Sequence, residues 1–206
     1  MPQSRRYKKK KSAGKAILAW IIVLAILAAG VFVFVSVFYE DAKKKLDEMN
    51  YPRTYSTYVE KAAKDYGLDP ALIYAVIHTE SGFDPKAESG VGAKGVMQMM
   101  PSSFEWLQEQ RGCAGQYTED DLFDPEICID YGSYLLKYFY DYYGTERSAI
   151  AAYNAGFVVS DWLNDTNYSS DGKNLDSIPY PETKNYVDKV ESAKEMYIKL
   201  YYSQSN

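Results

Sequence analysis

The chain has 206 residues, of which 47% are hydrophobic and 16% aromatic, and its formal net charge is −5 at pH 7. This composition suffices for a packed core and excludes an intrinsically disordered chain. Seven of the 23 basic residues precede residue 16, so the remainder has 16 basic against 28 acidic side chains. Such an acidic domain argues against nucleic acid as a partner, because nucleic-acid binding needs clustered positive charge. Two cysteines are too few for a disulfide scaffold or a four-thiolate metal site.

A long apolar segment follows the basic N-terminal residues. Residues 16–38 form a run of 23 residues that is broken only by Gly30 and Ser36. As a helix this run would be about 34 Å long, enough to cross a hydrocarbon core of about 30 Å. The basic residues before it predict a cytoplasmic N-terminus. We therefore expect residues 1–15 to be a cytoplasmic tail and 16–38 to be a single transmembrane helix in the cell membrane, with the rest of the chain extracytoplasmic.

Two alternatives exist for the apolar segment. A cleaved signal peptide is one, because Ala28, Ala29 and Gly30 are small residues of the kind that a cleavage site requires. The apolar region of a signal peptide is usually about 7–15 residues long, which favours the transmembrane helix. A buried core helix is disfavoured because no polar face interrupts the run. The sequence leaves open whether the helix is retained or cleaved.

The rest of the chain is expected to be a charged juxtamembrane linker, 39–54, and a mainly α-helical domain, 55–206. Capping residues indicate where helices start: Thr57 with Glu60, Asp69-Pro70, Ser102 with Glu105, and Asp124-Pro125. Glycines mark where helices are expected to end: Gly67, Gly82, Gly112, Gly144 and Gly156. Further helices are expected at 148–155 and 182–202, and loops at 84–101, 112–123 and 165–181. No convincing segment alternates apolar and polar residues, so strands are not expected.

Glu80 is the first candidate for chemistry. It is expected in the last turn of the helix that begins at Pro70, which is otherwise apolar. There the negative end of the helix dipole and the loss of water both disfavour the ionised carboxylate, so its pKa should rise. A carboxyl group with a pKa near neutral pH can act as a general acid. Taken alone, however, a glutamate before a glycine is more often an ordinary surface residue.

The loop 84–101 and the pair Tyr153-Asn154 are further candidates. Three glycines in the loop permit a tight backbone, but the phosphate-binding GK[ST] ending is absent and no strand precedes the loop. Gln98 lies among three methionines, which either pack in the core or line a groove. Tyr153 and Asn154 precede Gly156 at a helix end and offer a hydroxyl and an amide to a sugar. Each of these signals is weak by itself.

Together the segments form five ordered motifs: Glu80-Ser81-Gly82-Phe83, GAKGVMQMMP at 92–101, Asp124-Pro125 with Gly132, Tyr134 and Leu135, AAYNAG at 151–156, and PETKNY at 181–186. From about residue 55 to 201 the chain resembles the lytic transglycosylases of the soluble-lytic-transglycosylase (SLT) type, which are related to goose-type lysozyme. The resemblance implies a lysozyme-like, mainly α catalytic domain. It further implies cleavage of the β-1,4 bond between N-acetylmuramic acid and N-acetylglucosamine in peptidoglycan, with a 1,6-anhydro product. We expect no cofactor and no metal.

The resemblance also implies roles for individual residues. Glu80 matches the single general acid and base of the family. The matching substrate-binding positions are Ser89, Gln98, Met100, Tyr153, Asn154, Glu182 and Tyr186. Departures from the family pattern, at Val96, Ser102, Ser103 and Phe157, remove no functional group. The expected partner is a peptidoglycan glycan strand. The process is wall remodelling, or opening of the wall for a secretion, conjugation or sporulation complex whose envelope proteins would be further partners.

Two other functions remain open. A hydrolytic muramidase on the same fold would need a second carboxylate, for which Asp84 and Glu88 are the nearby candidates. Asp84, which precedes Pro85, is better suited to order a turn. An inactive peptidoglycan-binding module is the second alternative. The presence of Glu80 argues against it, because binding alone does not need a positioned acid.

The remaining chemistry-bearing residues have structural interpretations. His78, the only histidine, has no partners at metal-ligand spacing and is expected to be structural or groove-lining. Cys113 and Cys128 lie in a domain where a disulfide is permitted, and a disulfide or a buried free thiol at Cys128 are equal alternatives. Trp106 and Trp162 are expected in the core rather than as platforms for sugars.

Overall fold

The computed structural model describes residues 4–203, with side chains from residue 14 onward. The chain divides into two units after residue 50. The first unit is one helix, α1 (Ser4–Asn50), which contains the apolar run 16–38. Among the described helices it is the one long and apolar enough to cross a membrane, although a signal sequence would meet the same criteria. Of the expected basic tail, residues 1–3 and the side chains before residue 14 lie outside the described residues.

The second unit is mainly α-helical, as the sequence predicted. Its α-helices are α2 (Ser56–Tyr66), α3 (Pro70–Ser81), α4 (Pro101–Gln110), α5 (Pro125–Tyr143), α6 (Glu146–Ala155), α7 (Val159–Asn164) and α8 (Pro181–Tyr197). Short 3-10 turns lie at Glu119–Phe123 and Gly156–Val158, and a π-helical turn at Ile198–Tyr202 follows α8. The described residues contain isolated β-bridges rather than a sheet, Glu88 with Lys94 and Lys94 with Met99.

The predicted linker 39–54 is divided between the two units. Residues 39–50 continue α1, whereas Tyr51 to Thr54 belong to the compact second unit. The hydroxyl of Tyr197 donates to the Pro52 carbonyl at 3.1 Å, and that of Tyr201 to the Tyr51 carbonyl at 2.7 Å. These hydroxyls near the C-terminus hold the start of the second unit, a long-range contact that local sequence does not reveal.

The Asp-Pro helix starts are confirmed. The Asp69 carboxylate accepts a hydrogen bond from the Ala71 N–H at 2.9 Å, and the Asp124 carboxylate accepts one from the Glu126 N–H at 2.8 Å. Each proline occupies the first turn, where its missing N–H would have no helical partner in any case. The predicted glycine ends at Gly67, Gly82 and Gly144 are also confirmed, because each adopts the left-handed conformation that suits glycine.

Two predicted capping pairs are wrong. Helix α2 starts at Ser56 rather than after Thr57, and the Glu60 carboxylate instead accepts a hydrogen bond from the Arg53 guanidinium at 2.7 Å. Helix α4 starts at Pro101 rather than after Ser102, because a proline ring presets the backbone angle of a first helical turn. In neither case does the predicted hydroxyl cap the helix.

Helix α3 lies at the centre of the second unit. Seven consecutive residues, Ala71 to Ile77, are essentially inaccessible to water, so the helix is covered on all sides. It packs against α8 and α2, while α5 packs against α6 and α2. After this buried stretch, α3 approaches the surface from His78 onward. A polar residue in this last turn is therefore placed at the boundary between the core and solvent.

Candidate active site

The end of α3 is fixed to the loop that follows it. The Ser81 hydroxyl donates a hydrogen bond to the Val96 carbonyl at 2.8 Å and accepts one from the Phe83 N–H at 3.1 Å. Gly82 ends the helix with φ +59°, and Phe83 is buried although it also has a positive φ of 72°. The Ser-Gly-Phe sequence after Glu80 therefore fixes the end of α3 to the loop and so positions the glutamate.

Glu80 has an environment that favours the neutral acid. Burial of its carboxyl group raises the pKa to about 7, and the Tyr186 hydroxyl offsets part of this rise. The two groups do not form a well-aligned hydrogen bond, since the buried Tyr186 hydroxyl has no partner of good geometry. Among the described residues no second carboxyl group perturbs Glu80. The sequence predicted a raised pKa, and loss of solvent is its cause.

The hydroxyls of Tyr153 and Tyr186 lie close enough to Glu80 for its charge to raise their pKa values. The pKa values of Tyr153 and Tyr186 are raised well above normal, first by burial and then by the Glu80 carboxylate. The Tyr153 hydroxyl donates to the Met97 carbonyl at 2.9 Å. The site thus consists of one carboxyl group and two neutral hydroxyls, an arrangement suited to passing a proton rather than to binding an ion.

The loop 84–101 is held by its own polar side chains. The Gln98 amide donates to the carbonyls of Ala87 and Gly95, both at 3.0 Å, and Gln98 itself has a φ of +48°. The Ser89 hydroxyl accepts from the Ala93 N–H at 2.9 Å. Both predicted substrate-binding side chains therefore also shape the loop, and each keeps acceptor capacity for a ligand.

The three methionines of the loop fall into two classes. Met97 and Met99 are buried in the core, whereas Met100, just before α4, is 38% exposed. The sequence left open whether this group packs in the core or lines a groove. The structure packs Met97 and Met99 in the core and leaves Met100 exposed. Met100 remains a prediction as a substrate-binding residue. An apolar side chain exposed beside the loop is the type that a pyranose ring can contact.

Met97 packs against α5 at two residues, Gly132 and Cys128. A Cβ atom on Gly132 would lie 2.6 Å from the Met97 sulfur, so a larger residue here would force the Met97 side chain to move. The Met97 N–H donates to the Cys128 sulfur at 3.4 Å. Because the Met97 carbonyl accepts from the Tyr153 hydroxyl, the backbone of one residue, Met97, connects α5 to the tyrosine of the site. Sequence reasoning missed this role of Cys128, since nothing in its local sequence indicates it.

The disulfide left open from the sequence is not formed: Cys113 and Cys128 are free thiols. The Cys128 sulfur is buried beneath the loop, where desolvation raises its pKa to about 12. The Cys113 sulfur lies 3.3 Å from the Tyr131 hydroxyl. Each sulfur thus has its own partner, and the alternative of a buried free thiol at Cys128 is correct.

The start of α8 completes the site. The Thr183 hydroxyl donates to the Asn154 side-chain carbonyl at 2.8 Å, which orients this exposed amide at the end of α6. Glu182 is exposed in the first turn of α8, and Tyr186 is one turn further on. Sequence reasoning did not identify Thr183. The structure thus gathers Glu80, Tyr153 and Tyr186, and places Asn154 and Glu182 at the rim.

Three further predictions concern neighbouring residues. The Asp84 carboxylate accepts from the Lys86 N–H at 2.9 Å and so orders a turn, as expected. His78 stacks on Tyr51 with ring centroids 4.8 Å apart, in keeping with a structural role. In the part of the chain that the structure describes, no three His, Cys, Asp or Glu side chains are grouped to hold a metal ion.

Comparison with known proteins places this geometry in a family. The profile of the transglycosylase SLT domain matches residues 57–175, more than half of the chain. The chain belongs to the SLT-domain lytic murein transglycosylase family. The matched range includes Glu80 and the loop after it, together with Tyr153 and Asn154. Glu182 and Tyr186 follow the matched range.

Individual relatives agree with this placement. The soluble lytic murein transglycosylase of Escherichia coli is 32% identical over 146 residues, which are 69% of this chain and 23% of the relative. Membrane-bound lytic murein transglycosylase C of Actinobacillus succinogenes is 31% identical over 167 residues, 70% of this chain and 47% of the relative. The chain therefore spans between about a quarter and a half of the length of these relatives.

A solved structure supports the fold. The lytic transglycosylase Slt of Pseudomonas aeruginosa, in an inactive glutamate-to-glutamine mutant, superposes with a TM-score of 0.65 at 31% identity. The match covers 74% of this chain and 25% of that chain. The second unit thus has the SLT-type, lysozyme-like fold, and the long apolar helix α1 precedes it.

Proposed function

We propose that this protein is a lytic transglycosylase that cleaves the glycan strands of peptidoglycan, with Glu80 as its single acid and base. The observation that carries the proposal is the environment of Glu80. It is a desolvated carboxyl group with a pKa of about 7 beside two tyrosine hydroxyls, and no second carboxyl group among the described residues perturbs it. The relatives are named as lytic murein transglycosylases, and the Pseudomonas enzyme is inactive as a glutamate-to-glutamine mutant. Both points support the proposal.

The reaction balances with one carboxyl group. Neutral Glu80 donates its proton to the glycosidic oxygen as the bond from that oxygen to the anomeric carbon of N-acetylmuramic acid breaks. The resulting carboxylate then accepts the proton of the C6 hydroxyl of the same sugar, while the C6 oxygen bonds to the anomeric carbon. Glu80 is neutral again at the end, no water is consumed, and the product is a 1,6-anhydro sugar.

Hydrolysis is less well supported by this site. Glycoside hydrolases generally use two carboxyl groups across the scissile bond. Of the two candidates, Asp84 is engaged in a turn, and neither Asp84 nor Glu88 perturbs Glu80. Tyr186 is buried and Tyr153 is partly buried, and the raised pKa values of both phenols make them donors rather than bases. Their hydroxyls suit the orientation of Glu80 or of a sugar oxygen.

We further propose that α1 anchors the enzyme in the cell membrane, with the second unit outside. Its residues 16–38 supply the span, and the basic residues before them supply the orientation. One relative is named as membrane-bound, which favours an envelope location. Strand cleavage at the membrane would serve wall remodelling or the passage of an envelope complex. Protease added to spheroplasts should remove the second unit, and full protection would contradict this topology.

The mass of the product tests the proposed reaction. We expect the full-length protein in detergent to release from purified peptidoglycan muropeptides that are lighter by one water than reducing muropeptides. Release of reducing ends would establish hydrolysis instead and direct attention to Glu88. No release would favour the binding module. Glu88→Gln is a matched control for the Glu80→Gln variant, because Glu88 is exposed in the adjoining loop.

A further inference from the structure

Four aromatic side chains outside the candidate site form a cluster: Trp106, Tyr138, Tyr142 and Phe157. The Tyr138 ring centroid is 5.0 Å from that of Trp106 and 6.3 Å from those of Tyr142 and Phe157. Tyr142 and Phe157 are also in contact, at 5.8 Å, and they are 58% and 50% exposed. Adjacent rings that remain exposed on a folded surface typically mark a binding site.

The cluster is close in the chain to two of the predicted substrate-binding residues. Helix α4 begins directly after the exposed Met100 and carries Trp106. On the other side, Phe157 is three residues beyond Asn154, in the 3-10 turn that follows α6. Because both Trp106 and Phe157 contact Tyr138, the two elements that leave the site converge on the same surface of α5. The separation of three residues places Phe157 within about 11 Å of Asn154, so one strand that contacts Asn154 is long enough to contact Phe157 as well.

The local backbone fixes Phe157 in this position. Gly156 has φ +73° and ψ −153°, a conformation that only glycine adopts readily, and it redirects the chain after α6. The Phe157 ring then packs on Phe139 of α5, with centroids 5.4 Å apart. The Tyr143 hydroxyl lies 3.1 Å from the Ser160 hydroxyl and holds the following segment. The exposed ring of Phe157 is thus anchored rather than loosely attached.

The chemistry of the cluster suits a neutral ligand with flat apolar faces. Lys137 and Asp141, which flank Tyr138 on α5, form an ion pair with each other, so these two charges compensate one another. Aromatic rings stack on the C–H faces of pyranose rings, and a tyrosine adds a hydroxyl at its edge. Trp106, which was expected in the core, is instead half-buried beneath Tyr138 and supports the exposed rings.

We propose that this aromatic cluster is an additional binding site for the glycan strand, in which sugars away from the cleaved bond stack on Tyr142 and Phe157. The inference rests on the proposed function, because the occupant is the same strand that Glu80 cleaves. It adds that long strands bind more tightly than short ones, since only long strands reach both regions. The resulting preference concerns the length of the strand rather than the identity of the cleaved bond.

The test measures strand binding without turnover. Full-length Glu80→Gln protein in detergent is titrated with peptide-free glycan strands of tetrasaccharide and dodecasaccharide length. Into this background Tyr142→Ala and Phe157→Ala are introduced singly, and Tyr140→Ala serves as the matched control, an exposed tyrosine of α5 outside the cluster. We expect each cluster variant to weaken dodecasaccharide binding about tenfold and to leave tetrasaccharide binding unchanged. The control should bind both strands normally, and Phe157→Tyr should restore long-strand affinity.

The possible outcomes distinguish a failure of the aromatic binding site from a failure of the proposed transglycosylase function. Unchanged dodecasaccharide affinity in both cluster variants would overturn the inference, leave the function intact, and point to an apolar protein surface as the occupant. Equal losses for both strand lengths would also overturn it, because the rings would then act on the cleavage site itself. If the Glu80→Gln protein binds no strand and the parent protein releases no muropeptide, the proposed function fails, and the inference fails with it.

Discussion

Asp130 and Glu80 are two acidic residues at the edge of the core of the second unit, and their surroundings differ. The difference separates a structural ion pair from a group that can act as an acid. Asp130 is partly buried and accepts hydrogen bonds from the Arg111 guanidinium, at 2.6 Å, and from the Tyr66 hydroxyl. The Arg111 guanidinium also lies over the rings of Tyr131 and Tyr134, at 4.2 and 4.4 Å. Glu80 has no cationic partner among the described residues. Asp130 thus has a guanidinium and a hydroxyl as hydrogen-bond partners, whereas the raised pKa of Glu80 lets its carboxyl group carry a proton.

The difference follows from where each residue lies. Asp130 is on α5 and faces Arg111, which directly follows α4 and supplies both a positive charge and a planar set of donors. Glu80 follows seven buried residues of α3 and meets two phenols but no base. Neutral hydroxyls stabilise a carboxylate far less than a guanidinium does, and desolvation therefore controls the Glu80 pKa.

The largest expected effect is the loss of catalysis in Glu80→Gln. The amide is nearly the same shape as the acid but cannot donate and recover a proton, so turnover should fall by at least about a thousandfold. The muropeptide release assay measures this loss, and circular dichroism checks that the helices persist. Glu88→Gln should retain activity. Substantial turnover in Glu80→Gln would remove the glutamate from its assigned role.

The second prediction concerns stability as a function of pH. Because the folded-state pKa of Glu80 is raised from 4.5 to about 7, its contribution to stability is fully present below about pH 4.5 and is lost as the pH rises through 7. The loss corresponds to about 3 kcal/mol. Glu80→Gln should thus unfold at a higher temperature than the parent at pH 8 and at a similar one at pH 4. A constant difference across this range would show that Glu80 is not desolvated.

For Asp130, which is paired with Arg111, we expect a loss of stability without a loss of activity. Asp130→Asn removes the anion that faces Arg111 and should lower the free energy of unfolding by about 2 kcal/mol, since the pair is only partly buried. Specific activity of the folded protein should not change. Thermal unfolding and strand cleavage, measured on the same sample, check both statements. Lost activity without lost stability would place Asp130 in the site.

The smallest effect is expected for Tyr186→Phe. The Tyr186 hydroxyl lowers the Glu80 pKa slightly, so its removal should raise that pKa and move the pH profile of cleavage to higher pH. We expect about tenfold slower turnover. Stability should change little, because the hydroxyl has no well-formed hydrogen bond to lose. An unchanged pH profile would show that the tyrosine does not act on Glu80.

Local sequence was enough to predict the ends of α3 and the place of Glu80. Asp69-Pro70 and Gly82 mark the boundaries of this helix, and the apolar run between them indicates burial on all sides. The raised pKa of Glu80 followed from the same pattern. These features depend on neighbours in the chain, and residues within a few positions of one another specify them.

Contacts between distant segments were not predictable in this way. The hydrogen bond from Met97 to Cys128 joins positions 31 residues apart, and that from Thr183 to Asn154 joins positions 29 apart. The sequence around Cys128 is compatible both with a buried free thiol and with a disulfide, and the packing of distant segments decides between them. The aromatic cluster likewise depends on Gly156 redirecting the chain towards α5.

The most direct test of the account is a titration of the Glu80 carboxyl group itself. Glutamate labelled with ¹³C at the side-chain carboxyl, followed by NMR between pH 3 and 9, resolves each ionisation, and the signal absent from Glu80→Gln identifies Glu80. We predict that the Glu80 carboxyl group ionises with a pKa of about 7. Ionisation near the ordinary value of 4.5 would contradict it, because Glu80 would then be charged at neutral pH and unable to serve as the single acid.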